Sequence, residues 1–253
     1  MAAGTARKEG EAINRIYYDL HIHSALSPCG DNDMTPNTIA GMAALKELDV
    51  IALTDHNSAK NCGALMKAAA QYPLIVLPGM ELCTSEEIHV VCLFDTLEKA
   101  MAFDGYVDAH SPDVKNRPEI FGEQRIMDEN DEITGYVEKL LINASSISVM
   151  EVGPLVESFG GVAYPAHIDK SAYSLLSNLG FLPPEWQFPL FEVKDKTKLP
   201  ALREQHDYLR QINSVTSSDA HYLGDIAERE NSVELGNLTA GEFFEALKRG
   251  FSF

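Results

Sequence analysis

The chain is short of positive charge. Lys and Arg number 20 against 38 Asp and Glu, a formal net charge of −18 over 253 residues. That balance disfavours non-specific binding to long nucleic acid or to an anionic membrane. It leaves a small phosphorylated substrate open, because bound divalent ions can invert the local field. Cysteine is scarce as well. Cys29, Cys62, Cys83 and Cys92 form no CxxC pair and no zinc-finger spacing. With no signal peptide in evidence, they read as reduced thiols of a cytoplasmic protein. No apolar run is long enough to span a bilayer. P-loop, GxGxxG and GxSxG motifs are absent, which leaves no phosphate-cradling loop or nucleophile elbow to explain.

What is present suffices for a sizeable core: 45% of residues are hydrophobic, in a length suited to one large α/β domain. Residues 1–15 are small and polar and read as a flexible lead-in; the folded domain is assigned to 16–253. Residues 16–23 read as a strand. Thr35-Pro36 then opens a helix, with Thr as N-cap and Pro at N1. Residues 50–54 are apolar on both faces, as in a buried parallel strand. A helix over 59–71, strands over 74–77 and 87–94, and a helix over 97–103 follow. Later come a helix over 146–159, strands over 162–166, 190–193 and 214–218, and an amphipathic final helix over 240–249. This alternation predicts parallel strands with helices outside. Residues 104–135 break the pattern. They are rich in Asp, Glu, Asn, Gly and Pro and read as an insertion with little regular structure, either a solvated excursion or a lid.

His21 and His23 lie two apart at the end of the first strand, so both point to one face while Ile22 points to the other. Alone, such a pair is a weak signal. Its meaning comes from later strand ends, which carry His56, Glu81, His89, His167, Asp219 and His221. Six of the eight histidines belong to this set; His110 lies in the insertion and His206 on a predicted helix. The carboxyl ends of barrel strands converge on one face, whereas an open sheet concentrates its site at one switch point. The distribution therefore predicts an α/β barrel of about seven parallel strands, incomplete, with a metal site at their carboxyl ends. Imidazole suits Zn, Mn and Fe, and carboxylates add charge compensation and can bridge two ions. So many ligands exceed the needs of one ion and fit roughly two or three divalent ions. Glu81, after the Pro78-Gly79 turn, is the candidate bridge, and Asp31 or Cys29 could join from the first loop. A phosphate also calls for side-chain cations. Lys170 and Lys194 follow strand ends, and Arg117 and Arg125 could reach inward from a lid; an ordinary surface charge is the plainer reading of each. Glu192 either supports a ligand or fills the barrel interior, and Asp55 either anchors a ligand or ends its strand.

The ordered segments Asp19-Leu20-His21-Ile22-His23-Ser24, Leu53-Thr54-Asp55-His56-Asn57, Pro78-Gly79-Met80-Glu81, Ile88-His89-Val90, Pro165-Ala166-His167 and Ser218-Asp219-Ala220-His221 resemble the motifs of the PHP (polymerase and histidinol phosphatase) superfamily. The resemblance covers about residues 17–223. It implies a distorted (β/α)7 barrel and a metal-dependent phosphoesterase, a family that includes histidinol-phosphate phosphatases, nucleotide and oligonucleotide hydrolases, and proofreading modules. It also implies a division of ligands. His21, His23, Glu81 and Asp219 would hold one ion; Glu81, His89 and His167 a second; His56, His221 and a first-loop residue a third. The chain departs from the pattern at that last ligand. The family usually carries His or Asp five or six residues after the HxH pair, where Pro28 and Cys29 stand, and Asp31 follows. Asp31 is assigned there, with Cys29 as the alternative.

The function expected from the sequence is hydrolysis of a small phosphomonoester or nucleotide by attack of a metal-bound hydroxide, with Glu81, Asp219 and His221 as candidate catalytic residues. His221, if no ion holds it, could protonate the leaving group. Two alternatives stand beside this: an exonuclease acting on short oligonucleotide ends, and a metal-binding module without turnover. A non-phosphate hydrolase bridged by a carbamylated lysine fits less well, because Glu81 already fills the bridging place.

Overall fold

Strand β1 (Asn14–Ile22) is exposed at its amino end and wholly buried at its carboxyl end. In this computed structural model, which describes residues 14–181 and 188–251, α1 (Pro36–Leu45) leads to β2 (Val50–Leu53), and α2 (Cys62–Ala69) to β3 (Ile75–Cys83). These three strands pair in parallel, each joined to the next by a helical crossover. The chain then reverses into β4 (His89–Leu93), antiparallel to β3. Next come α3 (Leu97–His110), the single-turn α4 (Pro118–Phe121) and the hairpin of β5 (Arg125–Met127) and β6 (Ile133–Tyr136). Helix α5 (Val149–Ser158) leads to β7 (Val162–Pro165), antiparallel to β4. Helix α6 (Leu175–Leu179), β8 (Leu190–Glu192), α7 (Leu199–Gln205), β9 (Asn213–Val215), β10 (Ser232–Leu235) and α8 (Ala240–Lys248) complete the described chain. Most of the 1–15 lead-in lies outside the described residues, and Asn14 and Arg15 already pair with β10.

The main sheet has the order β10-β1-β2-β3-β4-β7, and β8 and β9 form a parallel pair beside it. Backbone bonds join the two. The Ile168 N–H donates to the Glu192 carbonyl at 2.9 Å, and the His23 N–H donates to the Ala220 carbonyl at 2.9 Å. The result is a mixed α/β fold with a curled, parallel-rich sheet, consistent with a distorted barrel. One buried cluster unites Tyr18, Leu20, Val91 and Tyr164 with Phe243 and Phe244 of α8. A second places Ile22 among Ile39, Leu65 and the other inward residues of α1 and α2. Leu20 and Ile22 thus belong to different clusters despite sharing a parity. The pairing of β1 with β2 slips between Asp19 and Ile22, and such an irregularity re-aims the side chains that follow it.

Two expectations from the sequence are corrected. The strands are not all parallel: β4 runs against both neighbours, and β10 against β1. Only residues 84–88 separate β3 from β4, far too few for a crossover. They close a turn in which Thr84 and Ile88 share a backbone bond of 2.9 Å. The alternation of strands and helices suggests parallel pairing throughout, but no helix lies between β3 and β4. The segment after 103 is also more regular than its composition suggests. Helix α3 continues to His110 because Asp104 faces inward, accepting from the Ser58 hydroxyl and Ala59 N–H at 2.8 Å each and from Lys60 Nζ at 2.6 Å. The β5–β6 hairpin is stitched to the domain by Arg125 N–H to Ala25 O (2.9 Å) and by Met127 N–H to Asn61 Oδ1 (3.0 Å). Among the described residues, no helix is long and apolar enough to cross a membrane.

Gly79, two residues before Glu81, pairs with Leu93 across the β3–β4 turn. A Cβ there would lie 2.7 Å from Leu93 Cδ2 and nearer still to the Cys92 carbonyl oxygen. Gly79→Ala is therefore expected to destabilise the fold by about 1–3 kcal/mol, the range for overpacking a tight site, measured by urea unfolding.

Candidate metal centre

Glu81 sits near the end of β3 and is 1% exposed. Five imidazoles surround its carboxylate. His21 Nε2 (3.2 Å), His89 Nδ1 (3.0 Å) and His167 Nε2 (3.0 Å) approach Oε1, while His23 Nε2 (3.4 Å) and His56 Nδ1 (3.1 Å) approach Oε2. Asp219 Oδ1 lies 3.4 Å from His21 Nε2, 3.3 Å from His23 Nε2 and 3.7 Å from His221 Nδ1. Ligand atoms gather in three overlapping groups, each mutually within 4.8 Å: His21, His23, Glu81 and Asp219; His56, Glu81 and His89; and His23, His56 and His221.

Local structure explains the convergence. His21 and His23 follow the irregular pairing of β1. Asp55, fully buried, accepts from Ser24 N–H (2.7 Å), Ser24 Oγ (2.6 Å), Ser27 Oγ (2.7 Å) and Ser27 N–H (3.2 Å). Ser27 Oγ in turn lies 3.0 Å from His23 Nδ1 and accepts the His56 N–H at 3.1 Å. Asp55 thus anchors the first loop beneath two ligands. Both Glu192 oxygens lie 3.1 Å from His21 Nδ1, and Oε1 accepts the His167 N–H at 3.1 Å. A carboxylate behind a ligating imidazole fixes its tautomer and orientation. His167 and Asp219 have positive φ, 26° and 49°, a strained choice for non-glycine residues that recurs at functional sites. Asn57, also at positive φ, accepts the Cys83 N–H at 2.8 Å and so ties the loop after β2 to the end of β3. Ser27 and Asn57 were missed from the sequence; their only signal was adjacency to the motif residues.

The donor set fits divalent ions. His56 Nδ1 and His167 Nδ1 are buried without a hydrogen-bond partner, although Glu81 Oε2 lies close to the first. His21 Nε2 and His23 Nε2 face one another at 3.2 Å. Ring nitrogens gathered on carboxylate oxygens in this way could hold a cation, and the mixture suits Zn, Mn or Fe. Charge is unevenly distributed within the cluster. Burial opposes charge on His21, yet Glu192, Glu81 and Asp219 hold it well above its ordinary value. Burial and the neighbouring His221 and His56 push His23 well below. Burial would raise Glu81, but His89 and His21 hold it well below the usual carboxylate range. Asp219 is likewise held low against burial, by His21 and His23.

The remaining candidates fall in several places. The Asp31 carboxylate accepts the Asp33 N–H at 2.9 Å and joins none of the three groups; its own N–H donates to the His221 carbonyl at 2.9 Å. Cys29, which is exposed, joins none of the three groups either. Partial burial of the thiol opposes its ionisation, but the neighbouring His221 and His56 bring it down to about 6. Lys170 Nζ pairs with Asp219, and Lys194 Nζ reaches the Ser218 carbonyl. Both line a cleft of about 500 Å³ beside His89 and His167, together with Tyr173, whose ring stacks on His89 at 4.8 Å. Arg125 pairs with Glu123 at 2.7 Å, and Arg117 lies over the Phe121 ring at 5.7 Å. His110 stacks on Tyr106 at 4.0 Å, outside the cluster.

The curled sheet and its strand-end cluster define a metal-binding α/β protein of the barrel-like kind. The PHP domain family matches residues 19–231, and the chain belongs to that family. Its members bind several divalent ions and are hydrolases of phosphoester bonds. Among solved structures, the lesion-specific endonuclease PfuEndoQ from Pyrococcus furiosus is 18% identical with a TM-score of 0.66, over 93% of this chain and 56% of that one. Endonuclease Q in complex with a 27-mer duplex carrying an abasic lesion gives 17% and 0.64, over 93% and 57%. A protein assigned as a metal-dependent phosphoesterase from Bifidobacterium adolescentis gives 19% and 0.58, over 85% and 92%. The chain thus spans little more than half the length of Endonuclease Q. No curated protein matches it in sequence. The exclusion of long nucleic acid drawn from net charge does not carry over to the fold, since a neighbour of the same fold was crystallised with duplex DNA.

Two outcomes test the centre. Glu192→Ala should weaken divalent-ion affinity about 10–100-fold, as loss of a supporting carboxylate does, measured by competition with a chelator. The second concerns pH in metal-free protein. A raised His21 contributes stability that is complete below its ordinary value of 6.5 and is lost as pH rises through the raised one. Glu81 and Asp219 contribute above their ordinary 4.5 and 3.8 and lose it only as pH falls through their depressed values. Chelator-treated protein should therefore melt at progressively lower temperature from neutral to alkaline pH. Metal-loaded protein should not, because its ligating imidazoles are already neutral.

Proposed function

We propose that this chain hydrolyses a phosphoester on a small phosphomonoester or nucleotide. The observation that carries the reading is Glu81, a buried carboxylate with five imidazole nitrogens within 3.4 Å, which suits a bridge between cations. In this reading His21, His23, Glu81 and Asp219 hold one ion, and Glu81, His89 and His167 a second. His56 and His221 serve a third. Bound divalent ions would supply a more acidic water and neutralise phosphate oxygens. The chain's own groups do the rest. Glu192 and Asp55 keep the imidazoles oriented. Lys170, 40% exposed at its side chain, and Lys194 offer cations to a phosphate entering the cleft. The Tyr173 ring gives that cleft an apolar wall on which a planar group can stack.

A second reading, cleavage within nucleic acid, is favoured by the fold shared with Endonuclease Q. The same experiment separates the two. Metal-loaded protein is assayed with Mn, Zn or Fe against histidinol phosphate, nucleoside monophosphates, bisphosphorylated nucleotides, short oligonucleotides and an abasic-site duplex. The expected result is turnover of a small monoester or nucleotide, lowered at least about 100-fold in Glu81→Ala together with loss of bound metal, since a direct ligand should matter no less than its support. Cleavage of the duplex alone would establish the second reading. Protein that retains its ions and turns over none of these would overturn both.

A further inference from the structure

Tyr173 is placed at a conformational cost. Its φ of 52° is an outlier for a bulky side chain, and such backbone persists only where the surroundings impose it. Two bonds impose it here. The Tyr173 carbonyl accepts the His89 N–H at 3.0 Å, and the hydroxyl of Ser174, the next residue, donates to the Lys170 carbonyl at 2.7 Å. The ring then lies on His89, with 4.8 Å between centroids and 24° between planes.

Covering His89 does not account for this placement. That task occupies one face of the ring, yet Tyr173 remains 48% exposed. The other face is left to the cleft of about 500 Å³ that Tyr173 lines. The rest of the lining is charged or small, apart from His89 and His167, which already contact Glu81. Lys170, Lys194 and Lys198 suit phosphate oxygens. Tyr173 alone among the lining residues offers a broad carbon face. Reach then narrows what that face can take. Stacked rings have centroids roughly 4.5–7 Å apart, so a substrate ring continuing the stack would stand about 9–12 Å from the His89 ring. A ring joined directly to a phosphate at the cluster falls short of that position. A ring carried one pentose away reaches it.

We propose that Tyr173 is a specificity-determining residue, whose outer face stacks a heteroaromatic ring set one sugar-sized spacer beyond the scissile phosphate. The substrate class is then a nucleoside phosphate rather than an aliphatic or aryl monoester. The inference rests on the phosphoester reading given under the proposed function.

The test compares the full metal-loaded chain with its Tyr173→Phe and Tyr173→Ala variants on a matched pair, adenosine 5′-monophosphate and ribose 5-phosphate, which differ only in the base. Wild type should favour the nucleotide in kcat/KM, chiefly through KM. Tyr173→Ala should lower that preference about 5- to 150-fold, the usual worth of stacking a base, and Tyr173→Phe should keep it. The ratio of 4-nitrophenyl phosphate to ribose 5-phosphate should respond to neither substitution, because that ring is joined directly to the phosphate. A merely structural role would lower both members of the pair together and leave their ratio fixed. A 5′-phosphorylated dinucleotide in the same assay assigns the ring to a free nucleotide or to a strand end, and either supports the stacking site. No preference in wild type, or a preference that survives Tyr173→Ala, would overturn the proposal. If the protein hydrolyses no phosphoester, the hydrolytic reading falls, and calorimetric titration with the same pair decides the inference separately. Tighter binding of the nucleotide that is lost in Tyr173→Ala upholds it; equal binding of the pair overturns it.

Discussion

A carboxylate placed in the interior of a protein needs positive charge around it, or it will take up a proton or leave. Glu81 lies at the centre of this fold, and every strand end around it answers that requirement. Strand β3 carries it, the turn into β4 returns His89 to its Oε1, and β7 brings His167 to the same oxygen. Strand β1 supplies His21, and the loops after β1 and β2 supply His23 and His56. None of these elements could be moved by one residue and still reach, because a single-residue slip turns a strand's side chains to the opposite face. The curl of the sheet is thus tied to one buried acid.

A layer of carboxylates and hydroxyls behind the imidazoles fixes how they point. Imidazole rings rotate, and two of them 3.2 Å apart repel when both are protonated. Glu192 behind His21, and Asp55 acting through Ser27 on His23, remove that freedom. Glu192 also holds the backbone of His167, whose φ of 26° costs energy that its surroundings must supply. One buried carboxylate therefore holds His21 of β1 and His167 after β7. Its own burial is tolerable only because the His21 ring and a backbone N–H satisfy it.

Much of this was legible in the chain. The HxH pair, the strand-end positions of His56, Glu81, His89, His167, Asp219 and His221, and the apolar strands leading into them pointed to convergence, and the structure gathers these side chains around Glu81 and Asp219. Strand direction was not legible. Residues 89–93 are buried on both faces whichever way they run, so hydropathy carries no information about direction; the length of the preceding turn does. Asp104 misled for a related reason. A buried acid satisfied by Ser58, Ala59 and Lys60 looks, in a list of residues, the same as a solvated one. Where the Asp31 carboxylate lies depends on backbone path, which residue spacing cannot show: it folds back on Asp33 and joins none of the three groups.

Net charge was the weakest of the sequence arguments, and its physics shows why. A total of −18 is a far-field quantity, and salt screens it beyond about 10 Å. On the proposed reading a substrate meets the cleft beside His89 and His167, which Lys170, Lys194 and Lys198 line. There Lys170 pairs with Asp219. On the proposed reading, divalent ions held by the cluster would compensate Asp219 and Glu81 at close range, so that a negative total charge and an anionic substrate would be compatible: the charge that matters to the substrate is the local one, which bound cations can invert.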